Sequence, residues 1–236
     1  MEILSSFIGR EREKFSTRHN NLFANSFAQI VRYYKFLVII MTRYEKACRD
    51  YSNNRDKLQT IFQPGNHTLD EKELNLLKES EEFTEILHLE IESFYLFAKI
   101  LLDKIARSIE FYFGPSRGLP LDSHDDLSKN LEKYIKDKSL SPLPPNLKDL
   151  IAKAKQDISD YRDYQISHEK SPRTIRGTSF SLRSKTATIS TVRLYPTEKD
   201  VQEESKDIHQ VKDLLDKYIE EMIKYIELNR EKTNLE

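Results

Sequence analysis

The stretch EKELNLLKESEEFTEILHLEIESFYLFAKILLDKIARSIEFYF, residues 71–113, decides the fold. Leu87, Ile91, Phe94, Ala98, Leu101, Ile105 and Ile109 recur at steps of three and four, which puts them on one face of a helix. Phe97 and Leu102 widen that face. Glu90, Glu92, Lys99 and Asp103 break the apolar run, so it falls short of the ~20 apolar residues that cross a bilayer. Thr68-Leu69-Asp70-Glu71 reads as a capping box opening the helix, with Thr68 accepting from the backbone N–H of Glu71. Gly114-Pro115 stops it.

A helix of this length needs a partner, and the chain upstream supplies one. Phe27, Ile30, Val31, Tyr34, Val38 and Met41 keep helical spacing, and Tyr44, Cys48 and Tyr51 extend the stripe. Asn25 or Ser26 is the expected cap, Asn53 the expected end, and Pro64-Gly65-Asn66 the turn between the two helices. Residues 1–25 read as a lead-in. They lack the basic start and clean apolar stretch of a signal peptide. The expected compartment is the cytoplasm, with no membrane partner.

Downstream, Asp122 or Ser123 starts a short helix ending near Lys138. Leu140–Pro145 is extended, and Pro145 suits the first turn of the next helix. That helix carries Leu147, Leu150, Ile151, Ala154, Ile158 and Tyr161 on one face and is expected to reach Tyr164. Thr197 or Ser205 begins the last helix, whose apolar face is Ile208, Val211, Leu214, Leu215, Tyr218, Ile219, Met222 and Ile226.

Between these helices the texture changes. Residues 170–197 hold Lys170, Arg173, Arg176, Arg183, Lys185 and Arg193 and no carboxylate, in a chain with 39 Asp and Glu. Ile175, Thr178, Phe180 and Leu182 alternate with polar neighbours, as do Thr188, Ser190, Val192 and Leu194. The pattern predicts a β-hairpin over about 174–195, turning near Ser184-Lys185. The expected fold is therefore all-α: a bundle of four or five helices, two of them long and antiparallel, with one inserted β-hairpin. Residues 26–236 form the expected single domain, with the insertion at 170–197.

Composition narrows the chemistry. The chain has 236 residues, 33% charged, with a net charge of −1. One cysteine, Cys48, excludes an internal disulfide framework and a zinc ribbon. Five glycines include no phosphate-binding loop. There is no Gly-x-Ser-x-Gly elbow and no His-Glu-x-x-His. The histidines at 19, 67, 88, 124, 168 and 209 form no pair at helical spacing. Glu85 and His88 spell one half of a di-metal signature, but no second half follows, so they read as a solvated face. No metal and no cofactor are expected.

One cluster carries chemistry. Tyr161-Arg162-Asp163-Tyr164-Gln165-Ile166-Ser167-His168 closes a bundle helix and leads into the basic stretch. An imidazole moves a proton near neutral pH. A guanidinium holds a phosphate through two N–H groups while charge builds on it. Together they are the minimal set for cutting RNA without a metal. Chance alone yields about one arginine followed by a histidine at this range. Arg12–His19 and Arg117–His124 match as well, one in the polar lead-in and one in a Gly/Pro loop. Only Arg162–His168 ends a bundle helix.

This octapeptide resembles the Arg-polar-x(n)-His signature of the HEPN superfamily (higher eukaryotes and prokaryotes nucleotide-binding domains), with Asp163 as the polar residue after the arginine. Phe94–Phe113 also resembles a helix found beside that motif in uncharacterised bacterial members. The resemblance implies a small helical bundle and a metal-independent endoribonuclease of a toxin–antitoxin or phage-defence system. The implied partners are RNA, a second copy of the chain, and an antitoxin or other defence-system protein. It gives catalytic roles to Arg162, His168 and Asp163. Arg173, Arg176, Arg183 and Lys185 would then bind substrate. The implied reaction is attack of a ribose 2′-OH on the adjacent phosphate, leaving a 2′,3′-cyclic phosphate. On an unbroken α-helix, positions six apart point about 120° from each other with a rise of roughly 9 Å. Either the helix ends between Arg162 and His168, or two chains share the groove, as in a two-fold homodimer. The alternative is a non-catalytic helical dimer that grips RNA or a protein.

Overall fold

In a computed structural model the described residues are 2–15, 17–61, 70–160, 162, 174–176, 193–195 and 207–235. The chain is mainly helical. The order is α1 (Glu2–Arg12), α2 (Thr17–Ile61), α3 (Glu71–Phe113), α4 (His124–Asp137), α5 (Pro145–Ala154) and α6 (Ile208–Leu228). A π-helical segment, Lys155–Asp160, follows α5 directly, and a 3-10 turn, Arg230–Lys232, follows α6. Among the described residues no helix is long and apolar enough to cross a membrane.

The hairpin expected over about 174–195 is not supported as an extended element. The described residues hold only two three-residue strands, β1 (Thr174–Arg176) and β2 (Arg193–Tyr195). They pair antiparallel with Ile175 opposite Leu194. The expected turn at Ser184-Lys185 lies outside the described residues.

Two compact units emerge. The first holds residues 1–37, 95–168 and 209–236. Its core is aromatic where α1, α2 and α3 meet. Phe7, Phe23, Phe27 and Tyr112 are all fully buried. Phe23 and Phe27 stand 4.7 Å apart by ring centroid, Phe7 and Phe27 5.4 Å. Inside this apolar cluster Tyr112 donates to the buried Glu11 carboxylate at 2.8 Å. Burial, then that hydrogen bond, pushes the Tyr112 hydroxyl pKa far up.

This packing accounts for a difference at the N-terminus. α2 starts at Thr17, not at the expected cap Asn25 or Ser26. Phe7 and Phe15, on and just after α1, cover Phe23, so the first turns of α2 have something to bury against. α2 also runs past Asn53 to Ile61.

At the far end of α3 the chain turns on Gly114, whose φ is +83°. A Cβ there would sit 2.9 Å from the Asn234 Cγ. The C-terminal residues dock at this point: Asn234 N–H donates to the Tyr112 carbonyl at 2.8 Å, and Tyr134 donates to the Gly114 carbonyl at 2.6 Å. Gly114→Ala is expected to cost about 1–2 kcal/mol from the left-handed backbone alone, and more from the displaced Asn234. A urea midpoint equal to wild type would contradict this.

The second unit holds residues 38–94 and 169–208. Here α2 and α3 pair through Asn54, which donates to the Leu76 carbonyl at 3.2 Å and to Glu79 at 3.0 Å. Arg43 pairs with the buried Glu90 at 2.5 Å. The capping box of α3 falls two residues later than expected. Asp70 accepts from the Glu73 N–H, and Glu73 accepts from the Asp70 N–H, both at 2.8 Å. Thr68 lies outside the described residues. Both spellings were in the sequence; Asp at the cap with Glu three residues on satisfies two orphan donors at once.

Candidate functional site

The helix expected over 145–164 starts where Pro145 predicts, but its α-helical part ends at Ala154. The chain then widens into the π turn Lys155–Asp160, in which Asp157, Ile158 and Ser159 are consecutively buried. Three adjacent buried residues do not fit one stripe of an α-helix, and the wider turn lets them all face protein. α4 packs on this segment. Arg162, two residues beyond it, keeps the π geometry and is half-buried.

Of the expected catalytic trio, Arg162 alone is described; Asp163 and His168 lie outside the described residues. So do Arg173, Arg183 and Lys185, while Arg176 is described only as backbone in β1. Among the described residues, then, only the Arg162 side chain represents the expected site.

It does separate Arg162 from one competing match. His124, with Arg117, has the same kind of spacing, but its ring is fully buried at the first position of α4. Ser123 caps that helix, its Oγ accepting from the Asp126 N–H at 3.1 Å. The His124 N–H donates to Asp103 Oδ1 at 2.8 Å. The imidazole stands edge-on to Tyr218, centroids 5.6 Å apart. Among the described residues neither ring nitrogen finds a hydrogen-bond partner, and the same holds for the buried Tyr218 hydroxyl and Ser159 Oγ. Lys99 lies close by, held between Asp125 at 3.1 Å and Asp103 at 3.3 Å.

Burial first, then the Lys99 charge, lowers the His124 pKa to about 3. Asp125 pushes the other way and Lys155 adds to the lowering. His124 is therefore neutral at any ordinary pH and enclosed by protein, so it cannot serve a substrate as acid or base. Sequence reasoning set this match aside for its loop context; burial is the physical reason, and no sequence signal announces it. The Asp125 carboxyl is pushed up by partial burial but ends below the usual range, because the Lys99 hydrogen bond and charge outweigh that.

A consequence follows for acid stability. Unfolded, His124 titrates near 6.5; folded, near 3. Between those values the unfolded chain binds a proton that the folded chain does not, so His124 erodes stability as pH falls from about 6.5 towards 3. Its slope is about 1.4 kcal/mol per pH unit well inside the window. In urea titrations at pH 7 and pH 5, His124→Leu is expected to shrink the difference between the two midpoints. An unchanged difference would mean that the imidazole is solvated.

Among the described residues no group of three or more His, Cys, Asp or Glu side chains could hold a metal ion. Glu85 is exposed and His88 half-buried. The chain was compared with family models, curated proteins and solved structures, and no match was found in any of the three.

Proposed function

We propose that this chain is a metal-independent endoribonuclease of HEPN type, in which Arg162 stabilises the charge on a scissile phosphate and His168 moves the proton. The observation that carries the reading is the position of Arg162: half-buried, in π geometry just beyond the segment Lys155–Asp160 that continues α5. Such turns concentrate at functional sites, because the wide ring costs helix stability and re-aims the side chains that follow. The six cations and no carboxylates of residues 170–197, which begin two positions after His168, are the composition a phosphate-binding lip needs.

The reaction is attack of the ribose 2′-oxygen on the adjacent phosphorus. The P–O bond to the 5′-oxygen of the next nucleotide breaks, and that oxygen leaves with a proton. His168 takes the 2′-OH proton or supplies the leaving proton, and Asp163 or Ser167 orients it. Arg162 meets the extra negative charge of the phosphorane-like transition state. Two chains would share the groove in a homodimer, which answers the divergence of positions six apart on one helix.

The test is incubation of the purified protein with single-stranded RNA in EDTA. The expected products carry 2′,3′-cyclic phosphate ends, and a single 2′-deoxy substitution blocks cutting at its position. RNA bound but left whole would establish the non-catalytic binding module instead. A monomeric mass by light scattering would remove the shared groove.

A further inference from the structure

Away from Arg162, one face of the first unit joins cations to accessible rings. From Thr17 to Leu37, the part of α2 in this unit carries no Asp or Glu, although the chain has 39 of them. Arg32 and Lys35 are exposed on this stretch. Against it, α3 sets Lys104 and the exposed Arg107. The two helices run antiparallel here, with Phe36 meeting Phe97 at 5.5 Å and Tyr33 meeting Phe97 at 6.2 Å. Further along, Ser26 and Gln29 share a hollow of about 480 Å³ with Lys104, Arg107 and Phe111.

Tyr33, Phe36 and Phe97 are each half-buried, neither sealed in the core nor fully exposed. Cations already lie over them. The Arg32 guanidinium is 5.5 Å from the Phe36 centroid, and the Lys104 ammonium 5.9 Å from that of Tyr33. Among the described residues, Arg32, Lys35, Lys104 and Arg107 form no ion pair. Arg107 spends its Nε–H on the Asp122 backbone carbonyl at 2.7 Å, which fixes the side chain. Two acids touch the hollow, Asp122 and Glu110, and Glu110 is engaged by the Leu121 N–H at 3.1 Å.

We propose that this face binds single-stranded RNA, its bases stacked on Phe36 and Phe97 and its phosphates along Arg32, Lys104 and Arg107. Charge complementarity selects a polyanion. The half-buried rings select one whose bases are free to stack, since a duplex keeps its bases stacked on each other. The choice of RNA rests on the endoribonuclease reading above; the face itself does not depend on cleavage.

The test is fluorescence anisotropy of a labelled oligouridylate in EDTA, on the full chain carrying His168→Ala so that cutting is negligible during the measurement. Three phosphate contacts predict an affinity that falls with salt at a log–log slope of about −2. Lys104→Glu with Arg107→Glu is expected to weaken binding at least tenfold and to flatten that slope by about 1.4. Phe97→Leu keeps apolar volume but removes the ring, and is expected to weaken binding about tenfold. Wild-type affinity and slope in the charge-reversed protein overturn the proposal. So does binding to vesicles containing phosphatidylserine with none to the oligonucleotide. Should wild type fail to cut RNA, the endoribonuclease reading falls while a salt-dependent, Phe97-sensitive complex keeps this one. Should cutting proceed equally well in the charge-reversed protein, with its RNA affinity unchanged, this one falls alone.

Discussion

His168→Ala is expected to slow RNA cleavage by about 10²–10⁴, the usual contribution of a positioned general acid or base. The loss should fall on the chemical step: RNA affinity stays near wild type, and single-turnover cleavage drops. Arg162→Ala is expected to lose as much or more, because charge on the phosphate peaks in the transition state and little else in the motif can meet it. Arg162→Lys should recover only part, since an ammonium keeps the charge but not the two-pronged hydrogen bonding. The pH profile offers an independent check. If His168 moves the proton, the wild-type rate bends near the ordinary imidazole range, and the bend vanishes in His168→Ala. Equal rates for wild type and His168→Ala would end the nuclease proposal and return Arg162 to the surface of a binding module.

The second large effect concerns the fold. Phe27→Ala is expected to destabilise the protein by about 3–5 kcal/mol, the range for emptying a buried aromatic site. Phe27 is fully buried, 4.7 Å from Phe23, 5.4 Å from Phe7 and 6.4 Å from Tyr112. These rings come from three helices, so the cavity would open where α1, α2 and α3 converge, and no single side chain can swing in to close it. A loss of this size is a large part of the 5–15 kcal/mol that holds an ordinary domain together. Phe36→Ala, on the half-buried face of the same helix, is expected to cost clearly less. Chemical denaturation of the two variants side by side checks the contrast, and equal losses would show that the aromatic cluster is not the centre of the core.

Long, strongly periodic segments were legible. α3 ends where its Gly114 stop predicts, and α4 follows its Ser123 cap. Local signals sufficed there because the helix and its cap are written within a few residues of each other. α1 was not legible as an element, since its eleven residues are too few to hold a helix alone in water. Its helix depends on Phe7 reaching Phe27 and on Glu11 reaching Tyr112, contacts about twenty and a hundred residues away.

The candidate site divides in the same way. Arg162 is a candidate on the strength of a short motif, because spacing is a local property. That it follows a π turn could not be read this way, because Asp157, Ile158 and Ser159 are buried in a row by tertiary packing, which local spacing does not encode. Nor could residue spacing separate Arg162 from the Arg117–His124 match; the walls around the His124 ring did that.

By itself, then, the order of residues determined the helical class, the two long rods and the cationic tract, since each follows from periodicity or composition over neighbouring positions. Tertiary structure alone decided which histidine is sealed from water, where the fifth helix widens, and which rings and cations share a face. Those depend on burial and on side chains far apart in the chain, and a list of neighbours carries neither.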